Sequence, residues 1–81
     1  INDHNDGTYS VRALTDIDDF NEYFGTSLST EEFETVGGVV THAFGHLPSR
    51  GEEVQIDEFC FKVLNADGRR VHLFKVFRIS E

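Results

Sequence analysis

His42 and His46 stand four residues apart, the spacing at which two imidazoles on one helix face can share a metal ion. Gly45 falls between them, and a glycine there reads as the end of the helix, which removes the shared face. Both histidines therefore read as capping or surface groups. Arg69-Arg70 sit beside a turn, where they could grip an anion or a carboxylate; a solvated or intramolecular ion-pair role is the plainer reading. Asp16, Asp18, Asp19 and Glu22 could be taken for a divalent-cation site. Magnesium, however, favours carboxylates that converge in a cavity, and here the apolar residues between the acids take the inward side, leaving a solvated acidic face. His4, between Asp3 and Asp6, lies in a turn-rich stretch without the fixed geometry that ligands need. Gly37-Gly38 is no dinucleotide fingerprint, and no phosphate-loop lysine follows a glycine run. Cys60 is the only cysteine, which excludes an internal disulfide and a multi-cysteine metal centre; it reads as a reduced, buried residue of a cytosolic domain. No serine or cysteine is set beside a base and an orienting acid. These residues describe a small binding or interaction module rather than an enzyme.

The elements that would hold them are legible from periodicity. Val36, Val39, Val40, Ala43, Phe44 and Leu47 recur at the three-and-four spacing of one helix face, predicting a buried helix from Thr35 to Phe44. Gly37 and Gly38 within it imply close approach of a neighbouring backbone, Gly45 the left-handed position after the helix, and Pro48 a stop. Thr8 to Ala13 alternates as a half-buried strand. Thr15 would cap a first helix whose apolar face is Ile17, Phe20 and Phe24 and which Gly25 ends. Ser29-Thr30-Glu31-Glu32 has the form of a capping box, with Leu28 and Phe33 as its hydrophobic staple, and predicts a helical turn leading into the Thr35 helix. Three strands follow: Val54–Ile56, Phe59–Leu64 after an Asp57-Glu58 turn, and Arg70–Ile79 after Asn65-Ala66-Asp67-Gly68. The fold class is α+β, a strand, two helices and a three-stranded meander in a mainly antiparallel sheet with the helices on one face.

The last strand is apolar on both sides. Val71, Leu73, Lys75, Phe77 and Ile79 are expected to face the core, and Arg70, His72, Phe74, Val76 and Arg78 to form a second, uncovered strip that docks a partner.

Length and charge narrow the classes. Eighty-one residues make one domain, with eight Phe and two Tyr supplying much of the core. The formal net charge is −8; residues 1–45 carry nine acids and one base, Arg12. Such a balance argues against nucleic acid or an anionic membrane as partner. No apolar run is long enough to span a bilayer. The absence of any Met points to a processed product or to a segment cut from a longer protein, with residues 1–7 a flexible linker and 8–81 the domain.

Tyr9-Ser-Val-Arg-Ala-Leu14, Ile17-Asp-Asp-Phe-Asn-Glu22, Thr35-Val-Gly-Gly-Val-Val40, Phe44-Gly-His-Leu-Pro48, Arg50-Gly-Glu52 and Gly68-Arg-Arg-Val71 together resemble the CorC/HlyC transporter-associated domain, from Tyr9 to Val76. That resemblance implies a C-terminal accessory domain of a magnesium and cobalt efflux protein. The domain would follow a pair of CBS domains and lie in the cytoplasm, at the inner-membrane face through its parent. It implies no catalytic residues, no required cofactor and no insertion of this domain into the membrane. It also implies a fold similar to an FAD-binding domain, an analogy that transfers no activity by itself. Docking on the CBS pair or self-association as a homodimer is the expected mode of action; a flavin- or adenine-nucleotide-binding module is the alternative, and a hydrolase the third reading. Glu58 departs from the family's usual hairpin glycine.

Overall fold

The computed structural model describes residues 1–79. Seven elements follow in the order β1 (Asn2–Asp3), β2 (Thr8–Arg12), α1 (Ile17–Phe24), α2 (Val36–Phe44), β3 (Glu53–Ile56), β4 (Phe59–Ala66) and β5 (Val71–Arg78). The strands form one antiparallel sheet ordered β1-β2-β5-β4-β3, so the last strand closes against the first long one and both helices lie in the connection between β2 and β3. The expected end of the domain at Glu81 lies outside the described residues.

Alternation divides the sheet into two faces. On the inner face Tyr9, Val76, Phe61 and Val54 pair across four strands, and Val11, Phe74 and Val63 pair in the next row. Phe20 of α1 and Val36 and Val40 of α2, all fully buried, close over these rows as one core. Phe20 meets Phe61 at 5.6 Å and Phe59 at 6.1 Å between ring centroids, and Phe24 adds a contact with Phe59 at 5.2 Å.

Residues 1–7 are not a free linker. Asn2 and Asp3 pair with Ser10 and Tyr9, and the turn between them is built by short polar side chains. The Thr8 amide and hydroxyl both donate to the Asp6 carboxylate, the Asn5 amide donates to Asp3, and Asn5 adopts a left-handed φ of 61°. Asn and Asp support such turns by bonding backbone two residues on.

α1 starts one residue later than Thr15 suggests; Asp16 is its N-cap position, with no side-chain cap bond. The capping box at Ser29 does not start a helix. Ser29 Oγ accepts only from the Glu31 amide, 3.2 Å away, and the segment 26–35 is irregular. Asn21 takes over the anchoring: its amide group donates to the Leu28 carbonyl and its oxygen accepts from the Leu28 amide and the Thr26 hydroxyl. The segment is thus tied to α1, and α2 begins afresh at Thr35, whose hydroxyl accepts from the Gly38 amide.

α2 is pressed against the end of β2. The Gly37 amide donates to the Ala13 carbonyl at 2.8 Å, and a Cβ on Gly37 would stand 2.8 Å from Ala13 Cβ and 2.9 Å from its carbonyl oxygen. At Gly38 the close neighbour is the Phe33 ring. Gly45 turns left-handed at φ 77° to end the helix, and Pro48 is fully buried just beyond.

Candidate functional site

Both helices cover one face of the sheet, and the opposite face carries its own residue rows. The central row is Asn2, Ser10, Lys75, Lys62 and Glu53, in register across all five strands. Beside it run Thr8, Phe77, Cys60 and Gln55. Arg12 pairs with Leu73 on the other side. Lys62 and Lys75 are directly opposed and half-buried. Like charges in that relation repel and destabilise the sheet they stand on. Among the described residues neither lysine is within ion-pair distance of a carboxylate, and only Arg78, with Glu58 at 3.7 Å, has such a lysine or arginine pairing. Cys60, 7% exposed, is the best-covered residue on this face, and burial with nearby Glu53 pushes its thiol up.

A second feature is a groove of about 620 Å³ between α2 and the β4–β5 turn. Arg69, Arg70, His42 and His46 line it together with Leu14, Phe33 and Leu47, and no carboxylate does among the described residues. Two acids next to the groove have partners: Asp67 in the β4–β5 turn, and Glu52, which pairs with the groove-lining His46. Asp67 binds the His72 ring at 2.8 Å and accepts from the backbone amides of Arg69 and Arg70, which holds its carboxyl down at about 2. Glu52 accepts from the Ser49 amide and contacts the His46 ring at 3.1 Å, and the same contacts lower its carboxyl. Asp67 thus shapes the turn through the backbone, and among the described residues neither guanidinium group has a carboxylate partner. His42 leans on the Phe33 ring, 5.3 Å between centroids.

The strip expected from Arg70, His72, Phe74, Val76 and Arg78 is not one surface. Phe74 and Val76 are fully buried in the core beneath the helices. His72 bonds Asp67, Arg78 lies over the Phe59 ring at 5.0 Å, and Arg70 lines the groove. The helices cover the face that carries Phe74 and Val76, and a pair of register shifts in the β4–β5 ladder brings Val71 to it as well: Val63 pairs with Phe74, Asn65 with Leu73, and Ala66 with Val71. The irregularity puts Val71 on the same face as Phe74 and Val76, whereas unbroken alternation would oppose them. Leu73, Lys75 and Phe77, expected in the core, are half-buried on the uncovered side. The lysine row that strand reasoning passed over does leave a signal in the chain: Phe-Lys-Val occurs twice, at 61–63 and 74–76, and the two copies pair with each other.

Gly37, Gly38 and Gly45 border the groove, whereas Pro48 packs inside. His42 and His46 both line the groove, and the His46 ring is paired with Glu52. Among the described residues no three His, Cys, Asp or Glu side chains gather as a metal site, and no helix is long and apolar enough to cross a membrane.

A five-stranded antiparallel sheet covered on one face by two helices, with a groove beside α2, defines a small α+β domain. Residues 2–80 match the CorC_HlyC transporter-associated domain, and the chain belongs to that family. It is 59% identical over 64 residues to the magnesium and cobalt efflux protein CorC of Escherichia coli (strain K12), covering 79% of this chain and 22% of that protein. The CorC of Pasteurella multocida (strain Pm70) gives the same identity over 79% of this chain and 21% of its own length. The chain therefore spans about a fifth of the curated relatives it matches. Its fold superposes on the crystal structure of a CorC-associated region from Neisseria meningitidis MC58, named for a Mg2+ and Co2+ transporter, with a TM-score of 0.94, 42% identity and 98% of each chain covered.

Proposed function

We propose that this chain is a non-catalytic regulatory domain of a magnesium and cobalt efflux protein. On this reading it acts by docking its open sheet face onto the rest of the parent, at the cytoplasmic face of the inner membrane. The observation that carries the reading is the in-register Lys62–Lys75 pair on a face with half-buried Phe77 and Leu73. An antiparallel sheet tolerates one solvated face when that face is polar. Opposed lysines amid apolar side chains in a chain of net charge −8 call instead for a partner bearing carboxylates. A second copy placed sheet to sheet would add a second lysine pair to the interface, against one exposed Glu53 per row. The occupant we favour is the parent's own preceding region, the CBS pair that the family resemblance implies.

Replacing Lys62 and Lys75 together by Gln tests this. The isolated domain should melt at the same temperature or higher, because repulsion is relieved. Its affinity for a parent lacking the domain, measured by calorimetry, should fall at least tenfold, about 1.4 kcal/mol. Cation efflux by the full-length variant should become insensitive to removal of the domain. Unchanged affinity would remove the open face from the mechanism.

A further inference from the structure

We infer that the groove between α2 and the β4–β5 turn is a binding site for an organic phosphate. Arg69 and Arg70 would hold its dianionic head, and an apolar or aromatic body would lie against Leu14, Phe33 and Leu47. This site is separate from the docking face: none of the groove residues belongs to the Lys62–Lys75 row.

Charge is the first argument. The chain has fifteen acids and seven Lys or Arg, yet the groove collects two arginines and two histidines and no acid among the described residues. An exposed cation in so acidic a chain would be expected to find a carboxylate. Here the adjacent Asp67 bonds backbone amides and His72, so the turn is held in shape and, among the described residues, neither guanidinium is within ion-pair distance of a carboxylate. That arrangement presents two planar donor forks and consumes neither. A carboxylate can pair well with one such fork, whereas a phosphate monoester offers three oxygens and a second negative charge to two.

Shape is the second argument. The volume of about 620 Å³ falls in the range of small-molecule sites, and the lining mixes apolar and aromatic side chains with a few charged ones. Leu14 is 69% exposed and Leu47 40%, unusually open for their type, and both border this groove. Their burial would supply the apolar part of the binding energy.

Phenyl phosphate, inorganic phosphate and phenylacetate serve as probes of the 81-residue chain, followed by amide chemical shifts. Phenyl phosphate should bind saturably at or below about 1 mM, with the largest shifts at Gly37, Gly38 and Gly45. Inorganic phosphate, lacking the ring, and phenylacetate, lacking the dianion, should each bind at least tenfold more weakly. Arg69→Gln with Arg70→Gln should abolish binding of phenyl phosphate and leave the melting temperature unchanged, since both side chains are exposed. Lys62→Gln with Lys75→Gln should leave it intact. No saturation by about 10 mM phenyl phosphate, equal binding of all three probes, or binding that survives loss of both arginines would each overturn the assignment.

Discussion

Gly37→Ala puts the seating of α2 to a quantitative test. In an exposed helix interior the change would stabilise by up to about 1 kcal/mol, and by less in the first turn, where Gly37 sits. Here the new methyl would meet Ala13 Cβ at 2.8 Å, the Ala13 carbonyl oxygen at 2.9 Å and Ala13 Cα at 3.3 Å. Carbon atoms settle near 3.5–4.0 Å, so the helix start must back away by roughly 0.6–1 Å. It is not free to do so. The Gly37 amide bonds the Ala13 carbonyl at 2.8 Å, the Val36 amide bonds the Thr15 carbonyl at 2.9 Å, and the Ile17 amide bonds the Glu34 carbonyl at 2.9 Å. Overpacking of this kind costs about 1–3 kcal/mol, and a stretched backbone bond adds up to about 1. After subtracting the propensity gain, a net loss of about 1–3 kcal/mol remains. A domain of this size shifts its melting point by about 4–8 °C per kcal/mol, so circular dichroism should show a drop of roughly 5–20 °C. Gly38→Ala should lose less, because its obstacle is the Phe33 ring, a side chain that can turn. Ala13→Gly in the Gly37→Ala background should recover part of the loss by removing one of the two closest contacts. A Gly37→Ala variant as stable as the parent chain, or more so, would refute the argument that α2 rests on backbone.

Two further outcomes follow from the core and the β4–β5 turn. Phe74→Ala should lose about 3–5 kcal/mol in urea unfolding, as deletion of a fully buried ring does. Phe77→Ala on the open face should lose well under half of that; equal losses would mean that both faces belong to one core. Asp67 has a folded value of about 2 against an ordinary 3.8, depressed first by His72 and then by the Arg69 and Arg70 amides. A depressed carboxyl adds stability that is complete above the unfolded value and is lost as pH falls through the folded one. Acid titration of stability should therefore show a decline between about pH 4 and pH 2 that Asp67→Asn flattens; an unaltered acid limb in the variant would deny the turn that role.

Where one physical rule governs, the sequence was readable. The Thr35 helix, the Gly45 stop and the alternation of β2 each follow from a single periodicity or a single backbone requirement. The failures come where local rules compete. Ser29 to Glu32 has the form of a helix start, but Asn21 captures Leu28 and Thr26 instead, a tertiary contact that the local pattern does not contain. Residues 1–7 are polar enough for a tail, yet Asp3 and Asp6 fold the turn back onto β2. β5 is the instructive error. Its apolar residues occupy both faces, so which face the helices cover decides which set is core, and the register shift that adds Val71 to that set leaves no mark in composition. The groove was invisible for a related reason. Arg69 and Arg70 are adjacent to a turn in the chain, and only the packing of α2 brings His42, Phe33 and Leu14 opposite them.

The two rims of the sheet restrict how such domains can crowd together. β1 is two residues long and ends in Asp3; β3 is four residues long, with Glu53 and Gln55 exposed along it. Strands this short and this polar are poor templates for continuing a sheet into a neighbouring molecule. Copies crowded together will resist zipping edge to edge into fibrils, even at high local density. On the docking proposed above, contact is made through side chains rather than through shared backbone hydrogen bonds, which leaves it reversible and open to adjustment by single substitutions.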